Sequence, residues 1–184
     1  MATAVSNQGK TMNASLKKKL DSVFDKIHIA VPEETRMVVT VQKDAALSVL
    51  SFLKNQGFTH LGLVSCVDWI HQQMFELVYI LSAYMQDDEK TIDREKLHII
   101  LKAKIPREKP RFHSVIPIFE NAEPYEREIH ELFGIYFEGH PRLEPLFLER
   151  QYKIPPFRKD FDTRKYVRKT FDTIPPVEKK AGKR

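Results

Sequence analysis

The residues of this chain that are best suited to chemistry lie in one string, YEREIHELFGIYFEGHP, at positions 125–141. Its candidate metal ligands are Glu126, Glu128, His130, Glu131 and His140. A zinc-binding helix of the common protease type needs a second histidine four residues after the first, so that both rings meet one ion. Gly134 stands at that position, so the motif fails. Glu126 and His130 share a helix face, but such a pair is more often a surface or interface contact.

Other catalytic motifs are missing from the sequence. It contains neither G-x-G-x-x-G nor G-x-x-x-x-G-K, and its six glycines are not clustered, so no phosphate-binding loop is predicted. The one cysteine, Cys66, excludes a disulfide within the chain and a zinc or iron–sulfur site built from cysteines alone. Cys66 lies in an apolar run, where we expect a buried and unreactive thiol.

The positive charge of the chain is concentrated near its end. Residues 151–184 carry eleven Lys or Arg and four Asp or Glu, a net charge of +7, which leaves −2 for residues 1–150 because the whole chain carries +5. A basic segment of this kind can bind RNA, an anionic lipid surface or an acidic partner subunit. Charge alone does not choose among these three.

Membrane insertion and secretion are not predicted. No apolar run approaches the roughly 20 residues that a bilayer-spanning helix needs. The first fifteen residues lack the apolar stretch of a secretory signal. We therefore expect the protein in the cytoplasm.

The segments before the string predict an α+β fold. Residues 1–15 are small and polar, and we expect them to be disordered. A first helix is predicted from Ser15, whose hydroxyl can cap it, and a second over residues 44–56, ended by Gly57. The predicted extended segments are 37–41, 60–67, 75–84 and 96–105.

All four extended segments belong to the expected sheet, one before the second helix and three after it. Residues 60–67 are almost continuously apolar, as in a strand that is buried on both faces, and the polar link 71–73 indicates a hairpin. Residues 96–105 alternate between apolar and mainly basic side chains, so one face should be buried. Residues 87–95 hold seven charges and should form a solvated loop. We predict a small, mostly antiparallel sheet with helices on one side.

The string itself predicts a short helix. Asn121 can cap it, Pro124 is tolerated in its first turn, and Gly134 ends it. After Phe161 the chain is basic and contains several prolines, without a sustained apolar period. We therefore divide the chain into a disordered segment 1–15, a domain 16–141 and an extended basic arm 142–184.

The string closely resembles the signature of the thirty-kilodalton subunit of respiratory complex I. The same family supplies a subunit to energy-converting, membrane-bound nickel–iron hydrogenases and to related archaeal complexes. The block PFRKDF at 156–161 is similar to a second family element, and the resemblance covers about residues 16–161. The chain departs from the family pattern at two places. Pro124 replaces a usual tryptophan, which removes one packing anchor. The run Lys153–Pro156 replaces a usual Gly-His turn, and this second departure favours a hydrogenase-like or archaeal complex.

The resemblance implies a structural and assembly subunit without an active site or cofactor of its own. It implies docking on the large, hydrogenase-like subunit and on neighbouring iron–sulfur subunits, in the peripheral arm of an ion-translocating oxidoreductase at the cytoplasmic face of the membrane. Iron–sulfur clusters, and in hydrogenase relatives a nickel–iron centre, belong to these partners, and antiporter-like membrane subunits are reached through the complex. The resemblance also implies that the tail after Phe161 would lie extended over the large subunit and gain its order on assembly.

The residues that the resemblance assigns to the subunit interface come from both family elements. Arg127 suits a carboxylate partner, and Glu126 and Glu128 suit arginines. The full set is Tyr125, Glu126, Arg127, Glu128, Phe133, Gly134, Tyr136, Phe137, Gly139, His140, Pro141, Arg158, Lys159 and Asp160.

Two other functions are weighed against this one. A small RNA-binding protein would use the basic tail and the lysine-bearing face of residues 96–105. That function lacks an aromatic stacking motif and leaves residues 123–141 unexplained, so nucleic acid is not expected as a partner. A metallohydrolase would be built around His130 and His140.

Overall fold

The computed structural model describes residues 2–83, 97–148 and 152–170, with side chains from residue 13 onward. Its helices are α1 (Ala2–Val23), α2 (Ala46–Asn55), α3 (Glu123–Phe133) and α4 (Thr163–Thr170). Its strands are β1 (His28–Glu33), β2 (Arg36–Val41), β3 (His60–Trp69), β4 (Met74–Ser82), β5 (His98–Pro106), β6 (Arg111–His113) and β7 (Tyr136–Glu138). The predicted charged loop 87–95 and the last part of the predicted arm, 171–184, lie outside the described residues.

Five strands form one sheet in the order β1-β2-β5-β4-β3. Only the β2–β5 pairing is parallel, which confirms the predicted α+β fold with a mostly antiparallel sheet. The hairpin between β3 and β4 is also confirmed. Strands β6 and β7 pair in parallel as a second, small sheet. The sequence pattern predicts neither β1 nor the small sheet. Strand β1 contains Pro32 and buries only Ile29, so its sequence shows no apolar period.

The core lies on one face of the large sheet. The alternation predicted for β5 is confirmed, since its inward side chains are all buried: Ile99, Leu101, Ala103 and Ile105. They pair in register with the inward side chains of β4: Leu81, Tyr79, Leu77 and Phe75. The helices contribute to the same buried cluster through residues such as Leu20 of α1, Leu50 of α2 and Ile129 of α3.

The other face of the sheet corrects the prediction for β3. This strand lies at the edge of the sheet and is buried on one face only, with Leu63 41% exposed. Its apolar run is continuous because the outward face also carries apolar side chains. They belong to a row in register across all five strands: Leu63, Ile80, Ile100, Val38 and Ala30.

The first helix begins earlier than predicted. It starts at Ala2, so residues 1–15 are largely helical rather than disordered and Ser15 is not its cap. The segment contains no proline to stop the helix from extending. The side-chain amide of Asn13, which is buried, donates to the Glu34 carbonyl at 2.7 Å and ties the middle of α1 to the β1–β2 turn.

The prediction for Gly57 and the prediction for the arm after Phe161 have different outcomes. Gly57 follows α2 with φ of 97°, which confirms its role in ending the helix. The arm after Phe161, however, is not fully extended, because Thr163–Thr170 form α4. Asp162 explains the difference, since its carboxylate accepts the Lys165 N–H at 3.0 Å and so caps the helix that the basic composition did not predict.

The buried row of β5 supports a stability prediction. Leu101→Ala should lower the free energy of unfolding by about 3 kcal/mol, because it leaves a cavity in the centre of the sheet. Leu63→Ala removes the same atoms from the exposed face and should cost less than about 1 kcal/mol. Urea denaturation of both variants measures the difference, and equal losses would contradict this assignment of the two faces.

Candidate functional site

Helix α3 carries most of the string, and its two ends are fixed by different means. It begins at Glu123, with Pro124 in its first turn. Asn121 does not cap it, contrary to the prediction, because its side-chain amide donates to the Leu61 carbonyl at 2.8 Å. Gly134 ends the helix as predicted, in a left-handed conformation with φ of 73°.

Glu126 is buried inside the chain rather than offered to a partner. Its side chain is fully buried, and its Oε1 atom accepts the Val115 N–H at 2.7 Å, with a further hydrogen bond from Ser114. Burial raises its pKa from the ordinary 4.5 to about 7, and these hydrogen bonds oppose the shift only in part. The predicted interface role of Glu126 is therefore corrected, since its carboxyl group holds the segment after β6 against α3.

Phe137 requires the same correction. Only 1% of it is exposed, so it belongs to the core and not to an interface pocket. Its neighbour Tyr136 is 47% exposed and lies under the Arg111 guanidinium, 5.1 Å from the ring centroid. The alternation along β7 explains the difference, because adjacent residues of a strand point to opposite faces.

Arg127 and Glu131 bind the segment that follows the string. The Arg127 guanidinium donates to the carbonyls of Glu144 and Pro145, at 3.1 Å each. One turn further on, the Glu131 carboxylate accepts three consecutive backbone N–H groups at 3.1, 3.0 and 2.5 Å, from residues 146, 147 and 148. A donor and an acceptor at i,i+4 on α3 therefore hold residues 144–148 along the helix.

The two histidines of the string also bind backbone. His130 Nδ1 lies 2.8 Å from the Ile135 carbonyl, and His140 Nε2 lies 3.3 Å from the Glu123 carbonyl. The other nitrogen of His140 accepts the Arg142 N–H at 3.0 Å. Each histidine stabilises a turn next to α3, and residues 2–83, 97–148 and 152–170 contain no group of three possible metal ligands.

A buried ion pair fixes the second family element. Asp68, at the end of β3 and 3% exposed, accepts two hydrogen bonds from the Arg107 guanidinium at 3.0 and 3.2 Å. Arg107 also donates to Asp160 at 2.6 Å, and the Lys159 N–H donates to Asp68 at 2.9 Å. The hydrogen bond from Arg107 lowers the pKa of Asp160, so this carboxylate stays ionised.

Arg158 joins this element to the end of α3. Its Nε donates to the Phe133 carbonyl at 2.6 Å, and its guanidinium lies 5.1 Å from the Phe75 ring centroid. Gly134 permits this approach, because a Cβ atom there would lie 2.9 Å from Pro155 Cγ and 3.0 Å from Arg158 Nη2. The glycine is therefore needed both for its backbone conformation and for the close contact.

Two exposed phenylalanines complete the site, and neither was predicted. Phe147 is 66% exposed and Phe157 is 60% exposed, although both backbones are fixed by α3. The Phe147 N–H donates to Glu131, and the Phe157 N–H donates to the Leu132 carbonyl at 3.0 Å. Both residues lie in short apolar runs without a period, so the sequence gives no sign of which side chains face outward.

The other predicted interface residues lie around the same helix. Tyr125 donates its hydroxyl to the Gly62 carbonyl at 3.1 Å, and the Phe133 ring packs edge-on against Phe157. Gly139 turns the chain with φ of 83°, and Pro141 and Lys159 are exposed. Glu128 is half-buried on α3. Contact of these residues with another subunit stays a prediction.

Comparison with known proteins relates this arrangement to one family. Residues 39–167 match the family model described as the respiratory-chain NADH dehydrogenase, 30 Kd subunit. A subunit of the F(420)H(2) dehydrogenase of Methanosarcina mazei is 36% identical over 155 residues, which cover 83% of this chain and 91% of the relative. A subunit of the NADH-quinone oxidoreductase of Rhodobacter capsulatus is 29% identical over 142 residues, which cover 75% of this chain but only 66% of that longer relative.

A solved structure supports the same relationship. One chain of the membrane-bound sulfane sulfur reductase, an archaeal respiratory membrane complex, superposes with a TM-score of 0.77 at 28% identity. The match covers 95% of this chain and 99% of the other. The likeness therefore includes the C-terminal elements as well as the sheet.

Glu126 supports a prediction about pH. The pKa of Glu126 is about 7 in the folded chain against an ordinary 4.5, so the folded state binds the proton more tightly than the unfolded state. The free energy of unfolding therefore falls as the pH rises from 4.5 through 7, and below 4.5 the shifted pKa costs no stability. Glu126→Gln keeps an acceptor for the Val115 N–H without the charge. At about pH 8 it should be up to about 3 kcal/mol more stable than the parent chain, with little difference at about pH 4.

The measurement is urea denaturation across this pH range. The exposed Glu120→Gln serves as the control and should differ from the parent chain by less than about 0.5 kcal/mol at every pH. A constant difference between Glu126→Gln and the parent chain from acid to alkaline pH would show that Glu126 does not titrate in this way.

Two of the left-handed glycines, Gly57 and Gly134, support a comparison. The Cβ atom of Gly57→Ala would meet no atom within 4 Å, so this substitution should cost about 1 kcal/mol from backbone strain alone. Gly134→Ala also places alanine in the left-handed region, and its Cβ atom would displace Pro155 and Arg158 as well. It should therefore cost at least twice as much and free the segment 155–161 for proteolysis. Thermal unfolding and limited proteolysis would measure both effects, and equal behaviour of the two variants would exclude the close contact.

Proposed function

The chain belongs to the family of the 30 kDa subunit of the respiratory-chain NADH dehydrogenase, and from this premise we propose that it is a structural subunit of a membrane-bound respiratory complex. In this function the chain docks on the large, hydrogenase-like subunit and on neighbouring iron–sulfur subunits. Electrons pass through cofactors of those partners, and this chain orders their surfaces. The complex holds it at the cytoplasmic face of the membrane.

The observation that carries the proposal is the pair of exposed phenylalanines on fixed backbone. Phe147 and Phe157 expose about two thirds of their surface, while Glu131 and Leu132 at the end of α3 bind their backbone N–H groups. Aromatic side chains, phenylalanine included, are enriched at protein interfaces relative to the rest of the surface. Because their backbones are already ordered, docking would lose little conformational entropy.

The polar groups near these rings support the same function. Arg127, Glu131 and Arg158 each bind backbone of the C-terminal half of the chain, so they shape a surface rather than approach a substrate. No helix within the described residues is long and apolar enough to cross a membrane. We therefore propose that attachment to the membrane occurs through partner subunits.

Two of the relatives support one kind of complex. One is a subunit named for F(420)H(2) dehydrogenase, and the other is a chain of a membrane-bound sulfane sulfur reductase, whose match covers 95% of this chain. We propose a complex of this archaeal type over an NADH-linked one. The run Lys153–Pro156, which departs from the second family element, agrees with this choice.

The test is affinity capture of the tagged chain from membranes solubilised in mild detergent, with mass spectrometry of the captured subunits. Recovery of a hydrogenase-like large subunit and iron–sulfur subunits is expected. The double variant Phe147→Ser and Phe157→Ser should capture at least tenfold less of these partners, because two interface aromatics are lost.

The control for this experiment is Val31→Ser, which changes an exposed apolar residue of β1 that is 41% exposed. It should capture as much partner as the parent chain. The parent chain and Val31→Ser should melt within about 2 °C of each other. The double variant should melt no more than about 4 °C lower, because Phe157→Ser also removes the edge-on contact with Phe133. Full recovery of partners by the double variant would exclude these phenylalanines as anchors, and capture of the parent chain alone would exclude the proposed function.

A further inference from the structure

Helix α4 presents a dense group of positive charges. Four of its eight residues are cationic and exposed: Arg164, Lys165, Arg168 and Lys169. Among the residues that the structure describes, none of these four side chains forms an ion pair, whereas other arginines such as Arg36 and Arg142 do. The helix therefore offers a charge of +4 that the described part of the chain does not neutralise.

The spacing of these charges opposes helix formation. Arg164 and Arg168 are four residues apart, as are Lys165 and Lys169, and like charges at this spacing destabilise a helix. Asp162 compensates at one end only, where it accepts the Lys165 N–H. An anionic surface beside α4 would remove this repulsion, so the helix gains stability when it is bound.

The helix is nevertheless held in a fixed position on the chain. Tyr166 packs with Tyr152 and Phe161 in a cluster whose ring centroids are 5.1 to 5.8 Å apart. Phe161 follows Asp160, which is bound to Arg107 at 2.6 Å. The cations are thus presented by a structure that is already ordered, which favours specific docking.

We propose that α4 docks on an acidic surface of a partner subunit, with its four cations facing carboxylates of that subunit. This inference rests on the proposed function and gives the chemistry of one of its contacts. An open cleft of about 640 Å³ lies beside the helix, between Ile154 and the aromatic cluster, with Lys165 and Lys169 at its border. Asp160 and Asp162 also line it, but both are bound within the chain, Asp160 by the Arg107 guanidinium and Asp162 by the Lys165 N–H. An apolar side chain of the partner could enter this cleft, with flanking Asp or Glu on the two lysines.

Two other anionic partners fit α4 less well. A membrane-surface helix needs an apolar face that enters the lipid, but Tyr166 of α4 packs against Tyr152 and Phe161 of the same chain. Single-stranded RNA needs free aromatic faces on which bases stack, and these rings are packed against one another. An acidic protein surface needs only the exposed cations.

The direct test is zero-length carbodiimide crosslinking of the captured complex, because this reagent joins lysine amines to carboxylates in contact. We expect crosslinks from Lys165 or Lys169 to Asp or Glu residues of one partner subunit. A complex that contains the partners but yields no such crosslink would overturn the inference and leave the proposed function standing. Failure to capture any partner would instead overturn the proposed function.

A variant separates charge from fold. Replacing Arg164, Lys165, Arg168 and Lys169 by Gln keeps good helix-forming residues and removes the repulsion, so the chain should remain folded. It should retain roughly tenfold less partner, with a weaker dependence on salt. The control changes four exposed lysines elsewhere to Gln, at positions 17, 18, 26 and 109, and should retain as much partner as the parent chain.

The parent chain, the α4 variant and the lysine control also test whether α4 binds lipid or RNA. The full chain is mixed with vesicles of phosphatidylcholine and phosphatidylserine in equal parts, and separately with a single-stranded RNA oligonucleotide. Absence of binding that depends on α4 supports the acidic-protein partner. Binding to either probe that the α4 variant abolishes and the control retains would overturn it.

Discussion

The burial of Asp68 is the constraint on which the arrangement of the C-terminal half depends. A carboxylate that is 3% exposed must be paired and hydrogen-bonded, since an uncompensated buried charge costs several kcal/mol. Arg107 supplies the countercharge. The Lys159 N–H donates a third hydrogen bond to Asp68, although these two residues are 91 positions apart in the sequence. Asp160 then neutralises the second side of Arg107. The arm therefore returns to the end of β3, and this return places Arg158 on α3 and Phe157 at the surface.

The same logic explains why the family string contains so many charges. Groups inside this chain bind its arginine, its two histidines and three of its four acids: Glu126, Glu131 and Glu138. Most of these groups are backbone groups of the segments that border α3. Irregular segments such as 139–148 have backbone groups that no helix or sheet satisfies, so side chains of a neighbouring helix must bind them. The charges of α3 thus fold the loop and arm around it, and the surface they create is what a partner would contact.

The sequence predicted those parts of the fold that depend on local pattern. The alternation of β5, the β3–β4 hairpin and the glycine stops at Gly57 and Gly134 are all visible in a few neighbouring residues. Strand β1 was missed because its pairing with β2, rather than its own composition, makes it a strand. The burial of Glu126 was missed for a related reason: the Val115 N–H that it binds comes from a segment that the helical pattern does not include.

Exposure and backbone order together separate two kinds of functional residue in this chain. Glu126 and Arg127 belong to the family string, but both bind groups of this chain. Replacing either residue would therefore change the exposed surface only indirectly. Phe147 and Phe157 are exposed on a backbone that is already bound. Binding energy comes from side chains that leave water on docking. In the docking that we propose, the second kind of residue would therefore supply affinity, and the first kind would hold the surface in shape. On this proposal a family signature built mainly from internal contacts identifies the scaffold, and the exposed residues beside it would select the partner.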